Sequence, residues 1–353
     1  MKRLIALFFT SILMLALVLT GCGKTSDNVN ENTNKKTEAP AANQESQFLF
    51  TANEGGSISK ISVKDQKVIS TLKVDGAVHN VQVSPDGKVV AATVVPEMMH
   101  GHDDSMEMKG KAIFIDSNTD KVLKEVEVGN HPAHIVFTEN GKYALVTNNE
   151  DNNVSIIDTK KYVIVQTIPT GKGPHGFRIS KDSQYSYVAN MGENSVSILN
   201  LESMKEEKKI EVGTTPVTTG ITDDNKTLVV TLNQENALAI VDLATNKVDK
   251  VKVGNGPAQV YIQQDNQFAY VANQGTEDSP SHSLSKVDLK TKQVVATIET
   301  GKGSHGVVTS PDNKLSYVTN MFEDTVSIID NAQNKVIKTI QVGNTPNGIS
   351  ITP

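Results

Sequence analysis

Three histidines of this 353-residue chain recur in one sequence setting and are the side chains best suited to binding chemistry. When the chain is aligned on the turns that follow short apolar runs, His79, His175 and His305 fall at the same repeat position. Three imidazoles that converge, with a fourth position left open, form a common type of transition-metal site. The sequence therefore predicts a metal site at these residues. The alternative is that each imidazole caps its own turn or hydrogen-bonds a neighbouring loop.

A second group of candidate ligands lies in residues 97–109, EMMHGHDDSMEMK. It contains Met98, Met99, His100, His102, Met106 and Met108, together with Glu97, Asp103, Asp104 and Glu107. Thioethers with imidazoles suit copper, above all Cu(I), whereas carboxylates with imidazoles suit zinc or manganese equally well. We expect this segment to capture or deliver a metal, with copper favoured, or to cover the nearby site. The alternative is a polar loop that binds nothing.

The segments that must position these residues form a repeat. Its clearest copy, residues 301–340, contains four short apolar runs: HGVVTS, LSYVTN, TVSIID and VIKTI. Alternating apolar residues bounded by Pro, Asp, Asn and Gly turns predict strands. Most copies are spaced by about 42 residues, a period typical of β-propeller blades. The longest spacing contains residues 97–109, between the second and third strands of its unit.

The second strands end in motifs such as FTAN, YVAN and YVTN, and the third strands read VSIID, VSILN or LAIVD. This pattern resembles the YVTN-repeat β-propeller family from Phe48 to the C-terminus. The resemblance implies an all-β fold with seven blades. It implies little about function, because relatives include lactonases, haem- and copper-binding redox proteins and surface proteins. The recurrent Asn and the Asp that ends the third strand are interpreted as structural.

The two ends of the repeat array complement each other. The array opens on a second strand, FLFTAN, and finishes on a first strand, NGISITP. We expect the C-terminal strand to complete the N-terminal blade and close the ring over residues 48–353. In such a ring all eight histidines, and the loop residues Met191 and Met321, map to one face.

The N-terminus has the features of a secretory signal. Lys2 and Arg3 precede an apolar run that ends in Leu19-Thr20-Gly21-Cys22, and Cys22 is the only cysteine. This ending resembles the bacterial lipobox, which implies a signal peptide at residues 1–21 and lipidation of Cys22. Residues 22–47 are polar and predict a flexible tether. We expect a protein anchored by lipid on the outer face of the cytoplasmic membrane; the alternative is a transmembrane anchor.

Composition and motifs restrict the function classes. The net charge is −6 without a basic face, which argues against nucleic acid as a partner. No nucleophile elbow, phosphate loop or zincin helix is present, so we lean towards a non-enzymatic protein. We expect a monomer that binds copper or zinc and serves a redox or metal-handling protein. The alternatives are an enzyme or cofactor carrier of the lactonase or haem-d1 type that uses the same three histidines, with haem less favoured, and a protein-interaction scaffold.

Overall fold

The computed structural model describes residues 47–96 and 109–353, which form seven antiparallel sheets of four strands each. The first blade consists of β1 (Phe48–Asn53), β2 (Ser57–Ser62), β3 (Lys67–Lys73) and the C-terminal β28 (Pro346–Ile351). The second blade consists of β4 (Ala77–Val83), β5 (Val89–Val95), β6 (Lys109–Asp116) and β7 (Val122–Asn130). The third blade consists of β8 (Pro132–Phe137), β9 (Tyr143–Asn148), β10 (Asn153–Asp158) and β11 (Val163–Pro169).

Blades 4 to 7 repeat the same order. The fourth blade consists of β12 (Pro174–Ile179), β13 (Tyr185–Asn190), β14 (Ser195–Asn200) and β15 (Lys205–Glu211). The fifth consists of β16 (Pro216–Ile221), β17 (Thr227–Leu232), β18 (Ala237–Asp242) and β19 (Lys247–Lys252). The sixth blade consists of β20 (Pro257–Ile262), β21 (Phe268–Gly275), β22 (Pro280–Asp288) and β23 (Gln293–Glu299). The seventh consists of β24 (Ser304–Thr309), β25 (Leu315–Asn320), β26 (Thr325–Asp330) and β27 (Lys335–Gln341). A single 3-10 turn, Asn233–Glu235, follows β17. Within residues 47–96 and 109–353, no helix has the length and apolar character needed to cross a bilayer.

The ring is closed by the two ends of the propeller. β28 pairs antiparallel with β1, so that Phe50 lies opposite Ser350. The inner strands of consecutive blades pack against one another around the whole ring: β28, β4, β8, β12, β16, β20 and β24. The predicted all-β, seven-bladed propeller with closure by the C-terminal strand is confirmed.

The core lies between the blades. Most residues of the second and third strands are buried, as all of β2 is, whereas outer strands such as β3 alternate between exposed and half-buried residues. In one interface, Tyr270 and Leu284 of blade 6 pack on Val307 and Val318 of blade 7. Each large apolar side chain buried in this way contributes about 1.5–3 kcal/mol. The blades therefore stabilise one another, and no blade buries its faces alone.

The recurrent Asn at the end of the second strand connects strands within a blade and also bonds the backbone of the preceding blade. In blade 3, Asn148 Nδ2 donates to Asn153 Oδ1 and Ser155 Oγ, while Asn148 Oδ1 accepts the Gly129 N–H. The Asp at the end of the third strand has a similar local role, since Asp158 Oδ1 accepts two backbone N–H groups of the following turn. These bonds support the structural interpretation of both repeated residues.

A threonine of the second strand connects one blade to the next in four places. Its hydroxyl donates to a backbone carbonyl of the neighbouring inner strand, from Thr93 to Ala133 at 2.7 Å and from Thr147 to His175 at 2.8 Å. The same bond joins Thr231 to Ala258 and Thr319 to Asn347. The carbonyl always belongs to one repeat position, here called the mouth position, which holds His79, Ala133, His175, Val217, Ala258, His305 and Asn347 in blades 2 to 7 and 1.

Candidate metal centre

Three histidines from consecutive blades meet at one mouth of the central channel. His79 lies on β4, His134 on β8 and His175 on β12, each near the start of its inner strand. One ring nitrogen from each lies within 4.8 Å of those of the other two. The three are far apart in sequence, and the circular order of the blades brings them together.

The closest pair of ring nitrogens has the separation expected of two ligands on one metal ion. Nε2 of His79 and Nε2 of His175 are 3.3 Å apart. Metal–nitrogen bonds of about 2.0–2.1 Å at a tetrahedral angle place two ligand nitrogens about 3.3–3.4 Å apart. Little movement is therefore needed for this pair to share a cation.

Both imidazoles use their other nitrogen for hydrogen bonds. Nδ1 of His79 lies 2.9 Å from Oε1 of Glu54, and Nδ1 of His175 lies 3.3 Å from the carbonyl oxygen of Val217. Because both partners are acceptors, each Nδ1 carries a proton and donates it. The Nε2 lone pairs consequently face each other, an arrangement that a shared proton or a metal cation stabilises. Such outer hydrogen bonds also orient metal-binding imidazoles.

Glu54 supplies a negative charge behind this pair. Its Oε1 also accepts a hydrogen bond from Asn347 Nδ2 at 2.7 Å. Burial alone would raise the pKa of the carboxyl, but its hydrogen bond with and attraction to His79, together with the bond from Asn347, outweigh burial and lower the pKa to about 2. Glu54 is therefore ionised at neutral pH and favours a cation on the far nitrogen of His79.

His134 has the strongest need of a further partner. It is fully buried, and neither of its ring nitrogens has a hydrogen-bond partner among the described residues. Burial, followed by repulsion from His175 and His79, holds its pKa well below the usual range. Burial likewise lowers the pKa of His175 to about 3. An unsatisfied buried polar atom costs about 1–3 kcal/mol, and a cation within the group would satisfy one nitrogen of His134.

The structure groups the histidines differently from the predicted set of His79, His175 and His305. His305 lies on β24 in blade 7, where its Nδ1 is 3.3 Å from the carbonyl oxygen of Asn347, and it is outside the close group. Burial lowers its pKa to about 4. His79, His134 and His175 form an arc on one side of the channel, because blades 2, 3 and 4 are neighbours.

Sequence alignment missed His134 because it stands one residue beyond the mouth position, which Ala133 holds in blade 3. The position after the mouth is glycine in blades 1, 4 and 7. The next blade approaches closely there: a Cβ on Gly176 would lie 2.5 Å from Oγ1 of Thr218. In blade 3 the imidazole of His134 takes this place and reaches His175, with ring centres 5.0 Å apart. A histidine where three other blades carry glycine was the available signal.

Other predicted residues lie on the same face but outside the close group. The ring centre of His131 is 6.4 Å from that of His79, and its Nδ1 lies 3.7 Å from Glu150. Met321 Sδ accepts a hydrogen bond from Gln274 Nε2 at 3.2 Å, and Met191 is exposed. On this face, the loop between the second and third strands is joined by backbone hydrogen bonds to the loop that precedes the first strand. One example is the bond from the Met191 N–H to Gly173 O.

Several predicted residues lie outside the described part of the chain: the lipidation residue Cys22 and the candidate ligands Met98, Met99, His100, His102, Met106 and Met108. Their roles stay predictions. The strands that flank residues 97–108 are β5 and β6 of blade 2, and β5 ends where Val95 pairs with Ala77. The last strand residue before the segment, Val95, therefore lies opposite a residue that precedes His79 by two positions.

Solved structures share this fold at low sequence identity. Hydrazine synthase of Kuenenia stuttgartiensis is 20% identical, with a TM-score of 0.67, covering 77% of this chain and 89% of that one. Dihydro-heme d1 dehydrogenase NirN, in complex with DHE, is 14% identical, with a TM-score of 0.64 and coverage of 88% and 76%. A candidate 6-phosphogluconolactonase from Bacteroides fragilis is 14% identical, with a TM-score of 0.69 and coverage of 89% and 100%. These similarities establish the propeller alone.

Sequence comparison places the chain in a family. No curated protein matches the sequence. The family model described as YNCE-like beta-propeller matches residues 103–282 and 277–352, well over half of the chain. The repeat motifs, the seven blades and this match agree, and the chain belongs to the YNCE-like β-propeller family.

Proposed function

We propose that this protein is a non-catalytic metal-binding propeller in which His79, His134 and His175 hold one transition-metal ion. The observation that carries the proposal is the pair of Nε2 atoms 3.3 Å apart, whose Nδ1 atoms are committed to other acceptors. His134 supplies the third nitrogen, and it has no other partner in the described part of the chain. Three protein ligands leave a position open for an exchangeable fourth ligand.

The electrostatics of the group favour a cation over water. Burial keeps His134 and His175 neutral, so a metal ion does not have to displace protons from them at neutral pH. The ionised carboxylate of Glu54 compensates part of the metal charge through His79. A proton bound between the two Nε2 atoms would be the only competitor of the metal within the group. We therefore expect metal uptake to release no more than about one proton per ion.

Copper is the favoured metal and zinc the alternative. Sites made of imidazole nitrogens bind Cu²⁺ more tightly than Zn²⁺, following the general order of divalent-metal affinities. The methionines of residues 97–109 would add thioether ligands that select Cu(I). A site with an exchangeable position at a channel mouth suits transfer of copper to or from a redox or metal-handling protein.

Titration of the full-length, untagged protein with Cu(I) and Zn(II) in the presence of a competing chelator tests the site. We expect binding tighter than about micromolar and a loss of about 100-fold or more in each of the variants His79→Ala, His134→Ala and His175→Ala. His305→Ala is the matched control, because it removes a buried channel histidine outside the group. Equal losses for His134→Ala and His305→Ala, or no binding by the wild type, would refute the site.

The position of the protein in the cell is part of the proposal. The Leu-x-Gly-Cys ending supports lipidation of Cys22, which would hold the propeller on the outer face of the membrane. We also propose that the protein is a monomer and that nucleic acid is not its partner. Stable anchoring requires more than one acyl chain, which lipidation of both the thiol and the new amino group supplies. The variant Cys22→Ala should move from the membrane fraction to the soluble fraction. Unchanged membrane retention would contradict lipid anchoring.

A cofactor-carrying or enzymatic role is the second candidate. It is favoured by the similarity in fold to NirN, whose structure is a complex with DHE, and to a candidate lactonase. A Soret band on addition of haem, or hydrolysis of a lactone, would support it if the signal disappears in His79→Ala. An inert protein that binds neither metal nor haem would leave a protein-interaction scaffold.

A further inference from the structure

The mouth opposite the histidines opens into a pit with one fixed charge in its wall. The cavity is about 450 Å³, and its wall includes Gln82, Val136, Arg178, Gly220 and Tyr261 of five successive inner strands. Arg178 lies on β12, three residues after His175, and is the only arginine after Arg3. A pit of this size accommodates a small organic molecule.

Arg178 has almost no hydrogen-bond partners of its own. Nη1 donates to the carbonyl oxygen of Phe177 at 3.0 Å, and the guanidinium carbon lies 6.0 Å from the centre of the Tyr261 ring. The part of the chain described offers it no ion pair with a carboxylate. A guanidinium has five N–H donors, so four of them have no protein acceptor there. A half-buried cation of this kind is suited to an anion from outside the chain.

The charges at the rim do not compensate Arg178. Lys181 and Glu139 pair with each other at 3.4 Å, and Asp223 is exposed to solvent. Burial lowers the pKa of Arg178, opposed by Tyr261 and Glu139, but an arginine stays charged in a protein. One positive charge therefore remains in the wall of the pit.

The neighbouring blades leave Arg178 accessible. The corresponding position of blade 5 is Gly220, so no side chain of that blade separates the guanidinium from Tyr261 in blade 6. Val136 of blade 3 holds the same position on the other side. The cation thus stands between an aliphatic wall and an aromatic wall.

We propose that this pit binds a small organic carboxylate, with Arg178 as the anchor. The planar fork of the guanidinium matches the two oxygens of a carboxylate, and one fixed charge balances one negative charge. The walls formed by Val136 and Tyr261 accept the apolar part of the ligand. The ligand class and the site are distinct from the metal and its histidines.

Calorimetric titration of the full-length protein with sodium benzoate, at constant ionic strength in chloride, tests the site. We expect benzoate to bind with a Kd below about 10 mM and its neutral analogue benzamide to bind at least tenfold more weakly. Arg178→Gln should weaken benzoate binding about tenfold or more, and Arg178→Lys, which keeps the charge but loses the fork, by less. Lys124→Gln is the control and should stay within about twofold, because Lys124 is exposed on the outer strand β7 and does not line the pit.

Several outcomes would overturn the inference. Absence of benzoate binding, or equal binding by wild type and Arg178→Gln, would remove the site. Tighter binding of inorganic phosphate than of benzoate would replace the carboxylate by a phosphate ligand. Equal affinity for benzamide would show that the apolar walls, and not the cation, hold the ligand. Circular dichroism and urea unfolding of the same variants verify that each of them is folded.

Discussion

The two mouths of the channel are built from the same seven inner strands but offer opposite chemistry. At one mouth, burial keeps His134 and His175 neutral, and Glu54 stands behind His79 as a carboxylate. At the other, Arg178 carries a permanent positive charge and has no carboxylate partner in residues 47–96 and 109–353. Strand β12 contributes to both, through residues three positions apart. The same strand therefore carries a neutral imidazole suited to a metal cation at one end and a guanidinium suited to an anion at the other.

This contrast shows where the chemistry of a repeat fold resides. The backbone bonds of blades 2 to 4 are nearly those of blades 5 and 6, whose mouth positions hold the apolar residues Val217 and Ala258. Only a few side chains distinguish the arc of blades 5 and 6 from the arc of blades 2 to 4, where the three histidines lie. The scaffold determines position, and substitutions within the repeat determine charge and ligand type.

Removal of the closing strand should have the largest effect, because both mouths depend on the complete ring. Deletion of residues 347–353 removes most of β28, together with Asn347 and its bond to Glu54. We expect loss of the cooperative unfolding transition, which corresponds to the whole stability of about 5–15 kcal/mol typical of a domain. Chemical denaturation followed by circular dichroism measures it. Deletion of Pro353 alone should be tolerated; a cooperative transition in the longer deletion would contradict closure as the source of stability.

Acid should lower the stability of the protein through the histidine mouth, because its buried imidazoles stay neutral at pH values where the same residues of the unfolded chain are protonated. The pKa values of buried His134, His175 and His305 lie below the ordinary 6.5, at about 3 for His175 and about 4 for His305. Below pH 6.5 the unfolded chain binds more protons than the folded one, so stability falls as pH falls. Each such histidine contributes about 1.4 kcal/mol per pH unit until the pH reaches its folded pKa.

Urea unfolding at pH 8, 6.5 and 5 measures this effect. His305→Leu should flatten the pH profile, since it removes one of the three groups without touching the close group. His282→Ala, which removes an exposed histidine, is the control and should leave the profile unchanged. Equal stability at pH 8 and pH 5 would show that the imidazoles are not held neutral.

Substitution of the carboxylate behind His79 should affect one mouth only. Glu54→Gln keeps an oxygen that accepts the Nδ1–H of His79 but removes the charge. Loss of such an outer partner costs about 10–100-fold in metal affinity. Benzoate binding at the other mouth should stay within about twofold. Glu150→Gln, beside the rim histidine His131, is the matched control; a similar loss there would indicate a diffuse charge effect and not a specific bond.

The smallest effect measures how far the mouths are coupled. Arg178 and His175 are three strand residues apart, or roughly 10 Å. At that distance in water, loss of one positive charge changes the binding energy of Cu(I) by about 0.4 kcal/mol, so Arg178→Gln should tighten Cu(I) binding about twofold. Lys124→Gln, on the exposed outer strand of blade 2, should have no measurable effect. A tenfold decrease in Cu(I) affinity would mean that the two mouths form one site.

The repeat made the fold predictable. Strand patterns and the order of the end strands predict blade number and ring closure, because each blade can bury its faces only against a neighbour. Blade 5 marks the limit of motif alignment. Its VTLN motif suggests Asn233 as the repeated Asn, but Leu232 pairs with Pro216 just as Asn148 pairs with Pro132 in blade 3. Asn233 instead lies in the short turn beyond the strand and bonds Pro257 O.

The site was predicted only in part. Alignment at one repeat position finds His79 and His175, since both stand at the mouth position. It cannot find His134, whose imidazole reaches the group from the next position through the close approach of blade 4. It also leaves Glu54 unassigned, because this residue lies in a turn of blade 1 and meets His79 across the interface between blades 1 and 2. Contacts between blades depend on the ring geometry, which a single repeat does not contain.

The threonine bonds between blades have a consequence for how such a ring can change. Each hydroxyl binds the backbone carbonyl at the mouth position of the next blade and makes no use of the side chain there. Alanine, histidine and asparagine all occupy that position under the same bond. The ring therefore holds the attachment point at a constant place while leaving its substituent free. New ligands can be introduced at the mouth one blade at a time, without loosening the joints that hold the propeller together.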